Sequence, residues 1–382
     1  MTRKLVSIRR VNRIDPIENA DFIEKLTVDG WNVIAKKGEF KENEKILFIE
    51  VDAILPEKPE FEFMRSRKFK VKTIKLRGQI SQGIVFPLRI IPSYSGNPED
   101  YPEDMNVTEV LGVTKFEPQQ PQTLTGSQKS PYRYKYPRLP KFIYDIMRKL
   151  LSQQMFRKYL CINSGNGFPN FIPKTDETRV QVLQGLLTKY KGTSCYVTEK
   201  LDGSSITCYL KDGEFGVCSR NIDLKKETGN TFWDTVEAMG VESKLRTFAR
   251  GKRNLALQGE LIGEGIQGNK LKIKGHTIRF FNVFDIDEQR YFNFFSFKAA
   301  IESMGLETVP VITETMVLND NIEELVEAAK GNSVVCSSAK REGIVIRPLE
   351  ETEEFDEARG YLVRNRLSFK AINPEFLLKY DE

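Results

Sequence analysis

The chain has 382 residues, of which 40% are hydrophobic and 29% are charged, and its formal net charge is +5. This composition argues against a disordered chain, because enough apolar residues are present to bury the cores of roughly two or three domains. The slight excess of positive charge permits a nucleic-acid partner without requiring one.

Histidine and cysteine usage narrows the possible chemistry. The only histidine is His276, which we expect at the surface or in a hairpin, and the five cysteines include no C-x-x-C pair. A His/Cys zinc site is therefore not expected, nor is a histidine-based triad unless His276 alone serves it. The odd number and irregular spacing of the cysteines are typical of reduced thiols. The segment MTRKLVSIRR lacks an apolar core, and no apolar run approaches membrane-spanning length. We therefore expect an intracellular protein, cytoplasmic or nuclear. We also expect a monomer.

Residues 1–115 are predicted to form an all-β domain. Short β-branched runs are separated by Gly, Asp, Asn and Pro: WNVIAKKGEF, KILFIEVDAIL, KFKVKTIKLRG and QGIVFPL. This density of short strands favours a small barrel of the OB type.

One segment of this domain is strongly basic. Between Arg65 and Arg77, the residues Lys68, Lys70 and Lys72 alternate with apolar or small residues, which predicts a strand with one basic face. Two interpretations remain open: an edge strand whose lysines oppose aggregation, or a surface that binds nucleic-acid phosphates, with Arg77 as a further contact.

Residues 116–165 are predicted to be a linker that ends in a helix. The linker is rich in Pro, Gln, Ser and Tyr, and its PYRYKYPR stretch is either a tether on a domain surface or a nucleic-acid contact. The run KFIYDIMRKLLSQQMFRKYL spaces its apolar residues at three and four, as an amphipathic helix does.

Residues 166–382 are predicted to form an α+β domain. Thr175 or Asp176 is expected to cap a helix whose apolar residues are Val180, Leu183 and Leu187. Strands then alternate with helices, which are predicted at 232–250, 296–304 and 320–330.

Two cations near the start of this domain have two possible roles. Lys174 and Arg179 are expected either to contact a phosphate or a 5′ end, or to form salt bridges with Asp176 and Glu177.

Lys200 stands out within the run YVTEKLDGSSITCYL, because it ends an alternating strand pattern directly before an Asp-Gly turn. A lysine at such a turn is ordinarily a solvated hairpin end. It acts as a nucleophile only when its amine is neutral, and because its ordinary pKa is about 10.4 that pKa must be lowered by burial or by nearby cations.

The later sequence supplies the groups that attack on a nucleotide phosphate requires. These groups are cations for phosphates, carboxylates for a metal and an aromatic ring for a base. The candidates are Arg220 in CSRN, Glu260 in LQGELIGEGIQGN, Phe281 in RFFNVFDI, Glu342 in KREGIVIRP and Lys370 in LSFKAINPEF. Each one alone has an ordinary structural explanation, but their occurrence together and in order favours a site.

In order and spacing, these segments resemble motifs I, Ia, III, IIIa, IV and V of the covalent nucleotidyltransferases, over residues 196–373. TEKLDGSS and GELIGEGIQ are similar to the matching segments of ATP-dependent RNA ligases that seal nicked duplex RNA. A β-barrel before the transferase domain is similar to the domain order of the Naegleria/Deinococcus type. The resemblance implies an α+β fold: an N-terminal OB-type barrel, then an ATP-grasp-like adenylyltransferase domain with antiparallel sheets and flanking helices. It also implies ATP and Mg²⁺ or Mn²⁺ as cofactors.

The resemblance assigns a role to each matching residue. Lys200 would attack the ATP α-phosphorus and hold AMP, and Glu199 would read the adenine amino edge. Phe281 would stack on adenine, Arg220 would orient the ribose or the sealing strand, and Lys370 would contact the α-phosphate.

Three carboxylates match the metal-binding positions of the family. Asp202, Glu260 and Glu342 would hold a hydrated Mg²⁺ or Mn²⁺ that lowers the lysine pKa and neutralises the α-phosphate, and Glu260 would also border the nucleotide. Many relatives have Lys-x-Lys in motif V, whereas this chain has Ser368 and Lys370; Arg366 or Lys340 are candidates for the missing charge.

The resemblance implies a ligase that joins RNA 3′-hydroxyl and 5′-phosphate ends during RNA repair, with the basic residues of the barrel on the RNA. Three alternatives remain open. The first is a GTP-dependent capping guanylyltransferase, which usually carries its OB domain after the transferase domain. The second is a nucleic-acid-binding protein with a decayed transferase fold. The third is a DNA ligase, because contacts to 2′-hydroxyls cannot be read from a sequence.

Overall fold

The computed structural model describes residues 4–92, 94–116, 132–134, 161–163, 166–227, 229–251, 253–354 and 366–380. The chain divides into two compact units: Met1–Gln120, Glu177–Leu201 and Pro310–Glu382 form the first, and Pro121–Asp176 and Asp202–Val309 form the second. The amphipathic helix predicted in residues 141–160 lies outside the described residues. No helix in the described ranges has the length and hydropathy needed to cross a membrane.

The described elements are numbered in chain order. The N-terminal strands are β1 (Val6–Arg10), β2 (Arg13–Pro16), β3 (Ile23–Val28), β4 (Trp31–Lys36), β5 (Lys45–Ile49), β6 (Ala53–Ile54), β7 (Thr73–Leu76), β8 (Gln79–Gln82), β9 (Ile84–Pro87) and β10 (Thr114–Lys115). The later strands are β11 (Tyr132–Tyr134), β12 (Cys161–Asn163), β13 (Asn166–Gly167), β14 (Thr178–Arg179), β15 (Ser194–Lys200), β16 (Ser204–Lys211), β17 (Glu214–Ser219), β18 (Ile222–Leu224), β19 (Leu255–Gly263), β20 (His276–Asp285), β21 (Arg290–Tyr291), β22 (Val311–Val317), β23 (Gly343–Pro348) and β24 (Phe369–Ile372).

The helices follow the same numbering. The described α-helices are α1 (Thr108–Leu111), α2 (Gln184–Lys189), α3 (Thr231–Ala238), α4 (Val241–Ala249), α5 (Phe294–Ser303), α6 (Ile322–Ala328) and α7 (Pro374–Tyr380). Short 3-10 helices span Pro59–Arg67, Leu88–Ile90, Pro98–Asp100, Val180–Val182 and Gln267–Asn269.

The N-terminal region is built from small antiparallel sheets, with strand orders β1-β5-β9, β2-β3-β4, β7-β8 and β6-β10. Apolar side chains alternate along these strands and fill two buried clusters. One cluster surrounds Trp31 and Phe48, whose ring centroids are 5.8 Å apart, and the other includes Phe61 and Phe69. The predicted all-β character of this region is confirmed.

The predicted basic strand is wrong between Lys68 and Lys72. The preceding 3-10 helix ends at Lys68, and both Lys68 and Phe69 have positive φ, so the chain turns where a strand was expected. Lys68 and Arg77 are exposed, but the Nζ atom of Lys70 lies 3.6 Å from the ring centroid of Phe116. The alternation of lysines with Phe69 and Val71 therefore reflects two buried side chains in an irregular segment. A regular strand begins only at β7.

The remainder of the first unit is a five-stranded sheet with the order β14-β24-β23-β15-β22. β14 and β24 are parallel, and the other pairs are antiparallel. Residues of α2 and α6 form a buried cluster with this sheet that includes Leu187, Leu325 and Ile346. The helix expected directly after Thr175 or Asp176 begins only at Gln184, because Thr178–Arg179 pairs as a strand with β24.

The second unit is built on a seven-stranded sheet with the order β13-β18-β17-β16-β19-β20-β21. Helices α3, α4 and α5 pack on one face, where Trp233, Leu245 and Phe297 join the apolar side chains of the strands. The expected helix at 232–250 is interrupted at Gly240, which adopts the left-handed conformation between α3 and α4. The opposite face carries more polar residues and therefore positions the functional candidates of this unit.

The close approach of the β3–β4 hairpin to the rest of the first unit depends on Gly30. Its amide donates to the carbonyl oxygen of Gln181 over 3.2 Å. A Cβ atom at this position would clash with Cγ2 of Ile322 and lie 3.1 Å from Cα of Gln181.

Gly30→Ala is expected to destabilise the protein by about 1–3 kcal/mol, because the hairpin must move away from Gln181. Urea unfolding measures this change. Gly167→Ala is the matched control, since a Cβ atom there would meet no atom within 4 Å. Equal stabilities of the two variants would show that the hairpin does not require the glycine.

Candidate active site

Lys200 and Glu342 form a close ion pair in the first unit. Lys200 ends β15 opposite Gly343, the first residue of β23, and Glu342 directly precedes that strand. The Nζ atom lies 2.6 Å from Oε1 and 2.6 Å from Oε2 of the carboxylate. The side chains are 27% and 17% exposed, respectively, so the pair is shielded but accessible. A carboxylate at this distance stabilises the ammonium form of the lysine.

The backbone around Glu342 fixes this geometry. The amide of Asn373 donates to the carbonyl oxygen of Glu342 over 2.9 Å, and its side chain donates to the carbonyl oxygen of Arg341 over 3.0 Å. Gly343 has no room for a side chain, because a Cβ atom would collide with the carbonyl oxygen of Ala371 on β24. The Glu-Gly dipeptide is therefore required for the close pairing of these strands.

Glu199 is a buried carboxylate with an unfilled acceptor. Its side chain is 1% exposed, and Oε2 accepts a hydrogen bond from the amide of Val334 over 2.7 Å. Oε1 has no hydrogen-bond partner among the described residues. Burial raises the pKa of Glu199, although the hydroxyl of Ser333, the Val334 amide and the charge of Arg341 oppose that shift. The geometry suits a ligand that brings a hydrogen-bond donor, such as an exocyclic amine.

Ser368 belongs to a buried polar network. Its Oγ accepts from Nε of Arg347 over 2.9 Å, and Nη2 of Arg347 donates to Oε1 of Glu177 over 2.9 Å. Burial alone would raise the pKa of Glu177, but Arg347 and Arg366 hold that pKa below its ordinary value. The residue at the first motif V position is thus a buried serine that bonds an arginine of the neighbouring strand β23.

The two cations considered as substitutes for that lysine already hold carboxylates. Arg366 is buried against Glu351, and Nζ of Lys340 lies 2.7 Å from Glu375. Lys370 lies on β24 opposite Val345 and is partly buried. Of the motif V candidates, Lys370 is thus the one that β24 presents beside β23.

In the second unit, the chain directly after Asp202 packs closely on β19. Gly203 follows Asp202, and a Cβ atom on Gly203 would lie 2.5 Å from the carbonyl oxygen of Leu261 and 2.9 Å from Cγ of Glu260. Glycine is therefore needed for this close approach. Oδ2 of Asp202 accepts from Nζ of Lys270 over 2.7 Å.

A β-bulge determines the position of Phe281. Gly259 pairs with Phe280 and Gln258 pairs with Asn282, so Phe281 is the extra residue of β20. Phe280 is fully buried in the cluster under the helices, whereas Phe281 is only partly buried. The bulge thus separates the aromatic ring of Phe281 from the core.

The remaining candidates have partners other than those expected. Nη2 of Arg220 lies 3.0 Å from Oδ2 of Asp176, and both side chains are exposed. Lys174 donates to Oδ1 of Asn221 over 3.0 Å. Arg179 pairs with Asp52, and Glu177 pairs with Arg347, both within the first unit. His276 is exposed at the start of β20, as expected.

The three predicted metal ligands have the right chemistry but do not form a cluster within one unit. Among the described residues, no group of three or more His, Cys, Asp or Glu side chains is arranged to hold a metal ion. Carboxylate oxygens suit Mg²⁺ and Mn²⁺, and Asp202 and Glu342 each hold a lysine ammonium at the oxygens that such a cation would bind. The residues therefore fit a divalent cation in place of a lysine.

The sequence did not indicate Lys270 or Arg347, and it indicated Glu177 only as a candidate partner of Lys174 or Arg179. Lys270 follows the glycine-rich GEGIQGN segment without a distinguishing pattern, and Arg347 lies in an apolar strand motif. The charge within the strand IVIRP was the one available signal, because an arginine between buried apolar residues requires a partner.

Two family profiles match the chain. An OB-fold domain matches residues 5–88, and the RNA ligase family matches residues 193–372. Comparison with curated protein sequences gives no match.

Solved structures of an RNA ligase from Naegleria gruberi are similar over nearly the whole chain. A mutant crystallised with ATP and Mn is 32% identical, covers 99% of both chains and has a TM-score of 0.79. A second mutant, with AMP and Mn, gives the same identity, coverage and TM-score. The form with PPi is 32% identical, with a TM-score of 0.78 over 100% of this chain and 99% of that one. The predicted α+β fold with an N-terminal OB domain is confirmed.

Glu199→Gln is expected to raise the melting temperature at neutral pH. Burial raises the pKa of Glu199 in the folded state, so the charged form is penalised once the pH exceeds the ordinary carboxyl pKa, and glutamine lacks this penalty. The gain over wild type should therefore shrink as the pH falls through the raised pKa of folded Glu199, and it should be absent below the ordinary carboxyl pKa. Calorimetry across pH tests this, with the exposed Glu39→Gln as control. A gain that does not change with pH would contradict the account.

Proposed function

This chain belongs to the RNA ligase family, and we propose that it is an ATP-dependent ligase that joins RNA 3′-hydroxyl and 5′-phosphate ends through a lysyl-AMP intermediate. The observation that carries the proposal is the pairing of Lys200 with Glu342 on adjacent strands, in a chain that matches the Naegleria gruberi ligase over almost its full length. That ligase was crystallised with ATP and Mn, which supports ATP and a divalent metal here.

In the first step, the neutral amine of Lys200 attacks the α-phosphorus of ATP. A P–N bond forms, the bond to the β-phosphate oxygen breaks, and pyrophosphate leaves. The ammonium of Lys200 must first lose a proton, and its pairing with Glu342 opposes that loss. A divalent cation held by Glu342 would weaken this pairing and so favour the neutral amine of Lys200.

The nucleotide is held by residues of known chemical character. The unfilled Oε1 of Glu199 accepts from the adenine amine, and Phe281 stacks on the ring. Lys370 contacts the α-phosphate, and Arg220 orients the ribose or the sealing strand. Glu260 borders the nucleotide as well as the metal.

Asp202, Glu260 and Glu342 are assigned to the divalent metal. When bound, Mg²⁺ or Mn²⁺ supplies positive charge that stabilises the α-phosphate in the transition state and favours the neutral lysine. Carboxylate oxygens are the ligands that these ions prefer.

Two further steps complete sealing. The RNA 5′-phosphate attacks the lysyl-AMP phosphorus, the P–N bond breaks, and AMP becomes linked to the RNA end. The 3′-hydroxyl then loses its proton, attacks the 5′-phosphorus and expels AMP. We propose nicks in duplex RNA as the preferred substrate and RNA repair as the process.

The domain layout that serves this activity is an OB domain in residues 1–115, a connecting segment in residues 116–165 and the nucleotidyltransferase domain in residues 166–382. We further propose that the protein acts as a monomer in the cytoplasm or nucleus. The four cysteines with described side chains are free thiols, which supports a reducing compartment.

RNA binding by the OB domain is assigned to Lys68, Lys70, Lys72 and Arg77. Lys68 and Arg77 are exposed, whereas Lys70 packs over Phe116, so the exposed pair should contribute more. Each lost phosphate contact should reduce the slope of log affinity against log salt by about 1. Filter binding at several salt concentrations tests Lys68→Ala and Arg77→Ala against Lys191→Ala. Unchanged slopes would remove these residues from the RNA interface.

Lys200→Ala is expected to abolish labelling of the protein by α-³²P ATP and the transfer of AMP to RNA. Sealing of a pre-adenylylated strand should be partly retained, because that step does not need the lysine nucleophile. The matched control is Lys191→Ala, which removes an exposed lysine of the first unit. Labelling of Lys200→Ala would contradict the assignment.

One series of substrates separates the proposal from its alternatives. Wild-type protein is incubated with each labelled nucleoside triphosphate and Mg²⁺ or Mn²⁺, and then with nicked RNA or DNA duplexes. The proposal predicts labelling by ATP and sealing of RNA nicks. Labelling by GTP would indicate a capping guanylyltransferase, a preference for DNA would indicate a DNA ligase, and no labelling would indicate a binding protein.

A further inference from the structure

Lys270 forms the second lysine–carboxylate pair at a residue assigned to the metal. Its Nζ atom lies 2.7 Å from Oδ2 of Asp202, and the two side chains are 22% and 18% exposed. Both residues belong to the second unit, so this contact is independent of Lys200 and Glu342. Lys270 has no role in the proposed ligase mechanism.

The loop that carries Lys270 is held in an unusual conformation. Three non-glycine residues within it have positive φ: Gln267 at 45°, Asn269 at 44° and Lys272 at 55°. Such conformations are unfavourable for residues with side chains and persist only where the surrounding structure enforces them. Strain of this kind clusters at functional sites.

Specific contacts enforce this loop conformation. Ile266 and Leu271 are buried on either side of Lys270 and anchor the loop. The side chain of Asn269 accepts from the amide of Ile273 over 3.0 Å and donates to its carbonyl oxygen over 2.9 Å. The backbone that carries Lys270 is therefore fixed, while the flexible four-carbon side chain can still move.

The shielding of Asp202 explains why a cation is needed there. Its side chain is only 18% exposed, and that of Lys270 is 22% exposed. A carboxylate shielded to this extent carries a desolvation penalty unless a cation lies beside it. Lys270 supplies that charge.

We propose that Lys270 is a positioning residue that neutralises Asp202 in the metal-free enzyme and is displaced from it when the divalent metal binds. This inference rests on the proposed function in one respect, the assignment of Asp202 to the metal. The metal and the ammonium are both cations that bind the Asp202 carboxylate, so they compete for it. Lys270 thereby sets the concentration at which the metal binds.

Competition between Lys270 and the metal predicts the direction in which each variant changes Mn²⁺ affinity. Lys270→Met removes the competing charge, so Mn²⁺ should bind roughly three- to tenfold more tightly, within the range for a partly exposed ion pair. If Lys270 only held the loop in shape, its loss would weaken Mn²⁺ binding instead. Lys270→Arg keeps the charge and should bind Mn²⁺ nearly as wild type does.

The test measures Mn²⁺ binding directly, without turnover. Electron paramagnetic resonance of free Mn²⁺ gives the dissociation constant, with and without an α,β-methylene analogue of ATP that lysine cannot open. Lys226→Met is the matched control, because Lys226 pairs with Glu237 over 2.7 Å in the same unit. Lys270→Met should also show a larger Mn²⁺-induced rise in melting temperature. In this variant the charge of Asp202 has no lysine beside it before Mn²⁺ is added, so Mn²⁺ binding stabilises the protein more.

The outcomes separate this inference from the proposed function. Tighter binding by Lys270→Met, with Lys226→Met unchanged, supports the exchange. Unchanged or weaker binding by Lys270→Met overturns it. Asp202→Ala should weaken Mn²⁺ binding; if it does not, the assignment of Asp202 to the metal fails and the exchange fails with it. Loss in Asp202→Ala without a gain in Lys270→Met overturns the exchange alone.

Discussion

The ion pair between Lys200 and Glu342 is the interaction on which the rest of this site depends. It places the proposed nucleophile and a carboxylate 2.6 Å apart at the ends of two paired strands. Gly343 permits the close strand pairing, and Asn373 holds the backbone of Glu342. A carboxylate this close favours the ammonium form of a lysine. In the proposed function Glu342 would also hold the divalent metal, whose positive charge would favour the neutral amine of Lys200.

Two carboxylates of the candidate site are each paired with a lysine. Lys200 balances Glu342 in the first unit, and Lys270 balances Asp202 in the second. The lysines thereby compensate the two carboxylates proposed to hold the metal, which avoids the free-energy penalty of shielded, unpaired carboxylates. Glu199 differs, because its buried Oε1 has no partner among the described residues and suits a ligand donor.

The sequence predicted the all-β N-terminal region and the α+β fold, because both follow from local patterns. Alternation places Lys200 at the end of a strand, and the Asp-Gly and Glu-Gly dipeptides mark close backbone approaches. Long-range pairing decided what the patterns could not show. Arg347 reaches Ser368 from a neighbouring strand, and pairing with β24 takes Thr178 and Arg179 out of the expected helix. The prediction of a basic strand from Lys68 to Lys72 was wrong because a 3-10 helix and two left-handed residues precede β7.

The central claim is that Lys200 carries AMP covalently, and peptide mapping tests it most directly. Wild-type protein is incubated with ATP and Mn²⁺, digested, and analysed by mass spectrometry under alkaline conditions that preserve a phosphoamide. The account predicts one AMP adduct, on the peptide that contains Lys200, and its loss after acid treatment. An adduct on another residue, or none while RNA is still sealed, would contradict it.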